Sequence, residues 1–178
     1  MLDILLYAAL ALVLVVVALL AYAATKPDRF AIERSARIAA PPERIFPLIA
    51  NLKAMNTWNP FVEPDPAVQI SYSGPESGRG AAHTWSGNSK VGEGRIEITD
   101  AQAPSRVDLR LQMVKPMKAD NAVAFTLAPN GGGTDVTWAM SGQQPLMGKL
   151  MTIFINCDRM VGGQFEKGLA NLKSIAER

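Results

Sequence analysis

Residues Ile4 to Ala24 form 21 consecutive positions without a charged side chain, and this run constrains the chain more than any other feature. At about 1.5 Å per residue, a helix of that length spans a hydrocarbon core roughly 30 Å thick. Tyr7 and Tyr22 stand near its two ends, where amphipathic rings favour the membrane interface. The Leu/Val/Ala content gives no polar face, which argues against a helix lying flat on the surface. A cleaved leader is the main alternative, because Ala21-Tyr22-Ala23 has small-x-small form. Against it, Asp3 and no Lys or Arg precede the run, and the run exceeds the usual length of about 7–15 residues. A buried core helix is disfavoured by the same length and uniformity. Lys26, Arg29, Arg34 and Arg37 all follow the run, so the positive-inside rule places the following residues in the cytoplasm. The expected organisation is a transmembrane anchor over 1–25, a linker over 26–29 stiffened by Pro27, and one domain over 30–178.

The remaining residues, about 150, suffice for one sizeable core. Net charge is +2 and basic residues are scattered, which excludes a nucleic-acid footprint. Cys157 is the only cysteine, so no intramolecular disulfide is possible. A lone thiol fits a reducing compartment.

Phe30 to Ala39 reads as a strand ended by Pro41-Pro42. Pro42 suits the first turn of a helix over Glu43 to Leu52, whose apolar stripe is Ile45, Phe46, Leu48, Ile49 and Leu52. Lys53 to Pro66 is a loop with room for a helical turn. Six segments then alternate apolar and polar residues, centred on Ile70, His83, Ile96, Leu109, Phe125 and Trp138. Period two with one wet face is the pattern of an antiparallel sheet. Turn signals such as Ser73-Gly74-Pro75, Lys115-Pro116 and Asn130-Gly131-Gly132-Gly133 separate them. After Pro145 the period changes. Met147, Met151, Phe154, Val161, Phe165, Leu172 and Ile175 repeat at helical spacing, predicting a long C-terminal helix. Gly162-Gly163 within it predicts either a kink or a close approach to the sheet. The fold class is α+β: a seven-stranded curved sheet whose apolar face is covered by that helix, with space between them for a guest.

Ile38-Ala39-Ala40-Pro41-Pro42-Glu43-Arg44-Ile45-Phe46, Trp58-Asn59-Pro60-Phe61 and Gly168-Leu169-Ala170-Asn171-Leu172-Lys173 carry a family resemblance. They resemble, in turn, the strand-to-first-helix junction, the post-helix loop and the end of the gripping helix of the START-like, or Bet v 1-like (SRPBCC), helix-grip superfamily. Within it the chain is most similar to the polyketide cyclase/dehydrase-type branch. The resemblance covers residue 28 onward and implies a carrier or sensor of apolar molecules, with cyclase chemistry in some members. The N-terminal anchor departs from the soluble members.

His83 is the only histidine, and the alternation puts it on the inward face with Ala81 and Trp85. It is the one candidate acid/base, with Tyr72 as a possible helper, although a lone imidazole more often serves as a satisfied core group. A Cys157–His83 nucleophile and base pair has no local signature. No cofactor is expected. Metal-ligand spacing is absent from the sequence, and the triple glycine lies between strands, with no following helix to hold a phosphate. The expected ligand-binding set is Trp58, His83, Trp85, Met113, Phe125, Trp138, Met140, Met147, Met151 and Phe154, since aromatic and methionine side chains suit an adaptable apolar site. The expected partners are a hydrophobic or lipid-like small molecule and a membrane through residues 4–24. An acid/base enzyme and a ligand-free interaction module stay open beside that reading.

Overall fold

The computed structural model describes residues 2–154 and 156–178. Helix α1 (Leu2–Ala24) is followed by strand β1 (Arg29–Ile38) and helices α2 (Pro42–Ala50) and α3 (Leu52–Met55). Strands β2 (Gln69–Ser73), β3 (Ala82–Ser86), β4 (Glu93–Gln102), β5 (Arg106–Lys115), β6 (Ala119–Asn130) and β7 (Gly133–Gln143) come next. Helices α4 (Leu146–Phe154) and α5 (Cys157–Ala176) complete the chain.

Asp3–Ala24 is long and apolar enough to cross a membrane, and among its described side chains only Ala23 is fully buried. Pro41 and Pro42 open α2, Pro42 filling the first turn where a missing N–H costs nothing. The helix stops at Ala50, two residues earlier than the apolar stripe predicts. Asn51 is the reason. Its backbone is extended, and its Oδ1 accepts from the N–H groups of Lys53 (2.9 Å) and Ala54 (3.1 Å), which starts the single turn of α3 instead.

The seven strands form one antiparallel sheet in the order β1-β7-β6-β5-β4-β3-β2. The convex face is polar and carries ion pairs such as Arg110–Asp120 and Arg106–Asp108. The concave face is apolar and receives α5 through Phe165, Leu169, Leu172 and Ala176, all buried.

The predicted single C-terminal helix is two helices. Asn156 caps α5, its side chain accepting from the Arg159 N–H at 2.9 Å, and α4 is separate. Gly162 does not kink α5. It is a point of close approach, because the Arg34 guanidinium from β1 lies where a Cβ would stand. That guanidinium is held by Asp158 and Glu166, one turn to either side, at 2.9 and 2.8 Å.

Deep in the core Trp138 stacks on Phe165 at a centroid distance of 4.2 Å. Trp58 meets both Phe125 (6.0 Å) and Trp138 (5.7 Å) edge-on. Each such pair contributes about 0.5–1.5 kcal/mol beyond its buried area. Gly168 lets α5 come this close, since a Cβ there would sit 2.6 Å from the Trp138 ring.

Candidate functional site

The register aligns one inward-facing residue from every strand into a single row: Phe30, Gly142, Asn121, Leu111, Ile96, His83 and Tyr72. This row divides the concave face. On the side toward α2 the next row holds Ile32, Val123, Leu109 and Ile98, all buried, with Met140 half-buried. On the side toward the start of β1 the facing residues are Met113, Trp85 and Ile70, each only half-buried. Phe30, Leu111 and Ile96 are also half-buried. One half of the face is therefore solid core and the other half is partly uncovered apolar surface.

Two polar atoms sit on the dividing row, buried and without a hydrogen-bond partner: His83 Nδ1 and Asn121 Oδ1. Native interiors rarely leave such groups unpaired, because each costs about 1–3 kcal/mol. The two residues lie on β3 and β6, three strand spacings apart, or about 14 Å along the sheet. Asn121 faces Gly142, where a Cβ would overlap its Oδ1. Trp85 lies flat over Gly94 in the same way, its ring 2.5 Å from where a Cβ would be, and its Nε1 donates to the Val91 carbonyl at 3.3 Å. A third unpartnered atom, Trp138 Nε1, is inside the aromatic core.

His83 is 4% exposed and sits between the rings of Tyr72 (5.5 Å) and Trp85 (5.8 Å). Burial pushes its pKa down to about 4, opposed by a weaker interaction with the Thr84 backbone. The imidazole is thus neutral near pH 7. The Tyr72 hydroxyl is engaged elsewhere, accepting from Asn56 Nδ2 at 3.0 Å, while Lys53 stands over its ring. With Nδ1 unpartnered, that nitrogen makes no hydrogen bond to Cys157, which lies half-buried at the start of α5. No group of three potential metal ligands occurs among the described residues.

The ten residues expected to bind ligand fall into four places. His83, Trp85 and Met113 lie on or beside the partly uncovered half, while Met140 is half-buried in the row toward α2. Trp58, Phe125 and Trp138 form the packed aromatic cluster. Met147, Met151 and Phe154 lie on α4 and are exposed. Sequence reasoning missed Asn121, Phe30, Leu111, Ile96 and Ile70. Asn121 was detectable, since it precedes Val123 by two and so occupies an apolar-face position with a polar side chain.

Two depressions flank this face. One, about 410 Å³, runs between α3 and the β2–β3 hairpin past Lys53, Tyr72 and Pro75. The other, about 440 Å³, is on the polar convex face beside Arg29, Arg110 and Asp120.

The profile of the family described as polyketide cyclase / dehydrase and lipid transport matches residues 29–177. No curated protein sequence matches the chain. Among solved structures, a protein from Chromobacterium violaceum aligns with a TM-score of 0.60 at 15% identity, covering 86% of this chain and 99% of its own. The ginseng (Panax ginseng) major latex-like protein 151 aligns at 0.58 and 10% identity, over 85% and 100%. Ara h 8.0201 aligns at 0.56 and 13% identity, over 83% and 97%. At these identities the structural likeness establishes the fold, which is the Bet v 1-like helix grip, and nothing finer. With residues 29–177 matched, the chain belongs to the polyketide cyclase / dehydrase and lipid transport family.

Proposed function

We propose that the protein is a membrane-anchored binding module for a hydrophobic or lipid-like molecule carrying at least one polar group. The ligand rests on the partly uncovered half of the concave face, against Phe30, Leu111, Met113, Trp85 and Ile70. The observation that carries this reading is the pair of buried, unpartnered atoms, His83 Nδ1 and Asn121 Oδ1, on the border of that apolar surface. An apolar body would cover the surface, and a hydroxyl or amide on it would pair with one of these two atoms once that side chain turns toward it. The family description, which includes lipid transport, supports the same class. The length and composition of α1 support a single membrane span, and the basic residues that follow it support a cytoplasmic domain.

Native mass spectrometry of the detergent-extracted full chain is the direct test. The expected result is a retained small molecule, lost on Trp85→Ala and Met113→Ala substitution. Delipidated protein that neither retains such a mass nor takes up the apolar probe cis-parinaric acid would end this reading.

Acid/base catalysis by His83 is the second reading, favoured by the same unpartnered nitrogen. A pKa near 4 leaves only about one imidazole in a thousand protonated at pH 7, so it serves poorly as an acid, and as a base it is no stronger than a carboxylate. An activity that survives His83→Ala would remove this reading and leave the binding module intact.

A further inference from the structure

Helix α4 is amphipathic in the reverse sense for a helix on a water-soluble surface. Its polar side chains point at the protein, and four of its large apolar ones point away. Lys149 is 8% exposed, and its Nζ donates to Asp28 in the linker at 2.6 Å. Thr152 accepts from Lys26 Nζ at 3.3 Å. On the other side Leu146, Met147, Met151 and Phe154 are exposed, Met147 at 62% and Phe154 at 74%. Successive residues turn about 100°, so Leu146, Met147, Leu150, Met151 and Phe154 share one face while Lys149 and Thr152 share the opposite one. Water does not select this arrangement, because it exposes large apolar side chains while burying an ammonium group.

The occupant of that face is identified by what adjoins it. Helix α4 packs against α1, and Ala23 in the last turn of α1 is fully buried. Lys26 and Asp28, immediately after α1, are the residues that α4 is stitched to. The apolar face of α4 therefore continues the apolar surface of α1 at the level where α1 ends. The β5–β6 turn, at the sheet end where β1 starts, adds exposed Val114 and Met117, each followed in the chain by a lysine, Lys115 and Lys118. Exposed apolar groups interleaved with lysines suit an interface of acyl chains and anionic headgroups.

We infer that α4 lies in the bilayer interface as a second membrane contact, with Met147, Leu150, Met151 and Phe154 set into the headgroup/acyl boundary and Lys149 tied to Asp28 behind them. The inference rests on the reading that α1 spans the membrane. It goes beyond a single-span anchor, because it fixes the orientation of the whole domain and brings the uncovered half of the sheet to the membrane surface.

The test uses the full chain, with Cys157→Ser, reconstituted into vesicles of three parts phosphatidylcholine to one part phosphatidylglycerol. A single cysteine carrying the NBD fluorophore is placed at Met151, at Leu12 in the middle of α1, or at Ala170 on the outer side of α5. Nitroxide-labelled lipids then report depth. The expected result is strong quenching at 151 by shallow nitroxides, about 5–10 Å below the headgroups, deep quenching at 12, and none at 170. A Met147→Glu, Phe154→Glu pair should abolish quenching at 151 while leaving position 12 unchanged. Water-like emission at 151 with deep quenching at 12 overturns the inference and leaves the α1 span standing. Water-like emission at 12 overturns the span and the inference together.

Discussion

The buried imidazole of His83 makes stability depend on pH in a defined window. In the unfolded chain its pKa is the ordinary 6.5, and in the folded protein it is about 4, because burial disfavours the charged ring. The folded state therefore holds fewer protons than the unfolded state between those values. The contribution of His83 is fully favourable above pH 6.5 and is lost as pH falls toward 4, below which it changes no further. The difference of about 2.5 units, at 1.36 kcal/mol each, makes the loss about 3 kcal/mol. That is a large share of a typical domain stability of about 5–15 kcal/mol. The measurement compares the full chain in uncharged detergent with its His83→Phe variant, by urea unfolding followed through tryptophan fluorescence from pH 7 to pH 4. Asp28, Glu93, Asp120 and Asp158, held below their ordinary values by Lys149, Lys115, Arg110 and Arg34, lose stability toward acid in both proteins and cancel in the difference. The gap between wild type and variant should change by about 3 kcal/mol across the window. Parallel curves, agreeing within about 0.5 kcal/mol, would show that His83 titrates normally and that water reaches its ring.

Gly168→Ala should cost about 1–3 kcal/mol, since the added methyl meets a Trp138 ring locked against Phe165 and has Pro60 at 3.0 Å on its other side; an unchanged urea midpoint would mean α5 moves away freely. Trp138→Ala should cost about 3–5 kcal/mol, because it empties the centre of the aromatic cluster. Asn121→Leu should stabilise ligand-free protein by about 1–2 kcal/mol, by removing an unpartnered buried amide oxygen. The same variant should weaken uptake of an amphiphile more than uptake of a pure hydrocarbon, which a probe-displacement series would reveal.

The strands were legible because alternation is local. Val107, Leu109, Leu111 and Met113 alternate with charged and amide side chains whatever their partners are, and the observed β5 contains all of them. What alternation could not supply was the row. That His83, Ile96, Leu111 and Asn121 stand side by side follows from the register of four strands, which no single segment encodes. Periodicity likewise identified a helical stripe through Met147, Met151 and Phe154 without naming the medium it faces. The stripe was read inward with that of α5, yet in the structure it points away from the protein. Trp58, Phe125 and Trp138, expected among the ligand-binding residues, pack against one another, and alternation could not foretell this for a related reason. A large ring on an inward face serves equally as wall or as filling, and only its neighbours decide which.

The break at Asn156 connects these observations. Near the end of α5, Lys173 Nζ donates to the Arg37 carbonyl and Glu177 accepts from the Ala39 N–H, while near its start Asp158 holds Arg34. The helix thus descends β1 from residue 39 toward residue 34 as it is followed back toward its N-terminus. Extended through Leu146 without interruption, it would run on about 15 Å, past Ile32 and Phe30 and over the row that holds Asn121. The chain instead starts a new helix after Asn156, and the nine residues of α4 (Leu146–Phe154) pack beside α1. One event therefore produces both unusual surfaces: the sheet loses the cover that would have completed its core, and α4 presents its apolar face away from the protein. The partly uncovered half of the sheet and the reversed helix are two halves of an interface that a continuous helix would have closed. An apolar medium at the end of α1 would answer both, receiving the side chains of α4 and supplying a guest for the sheet.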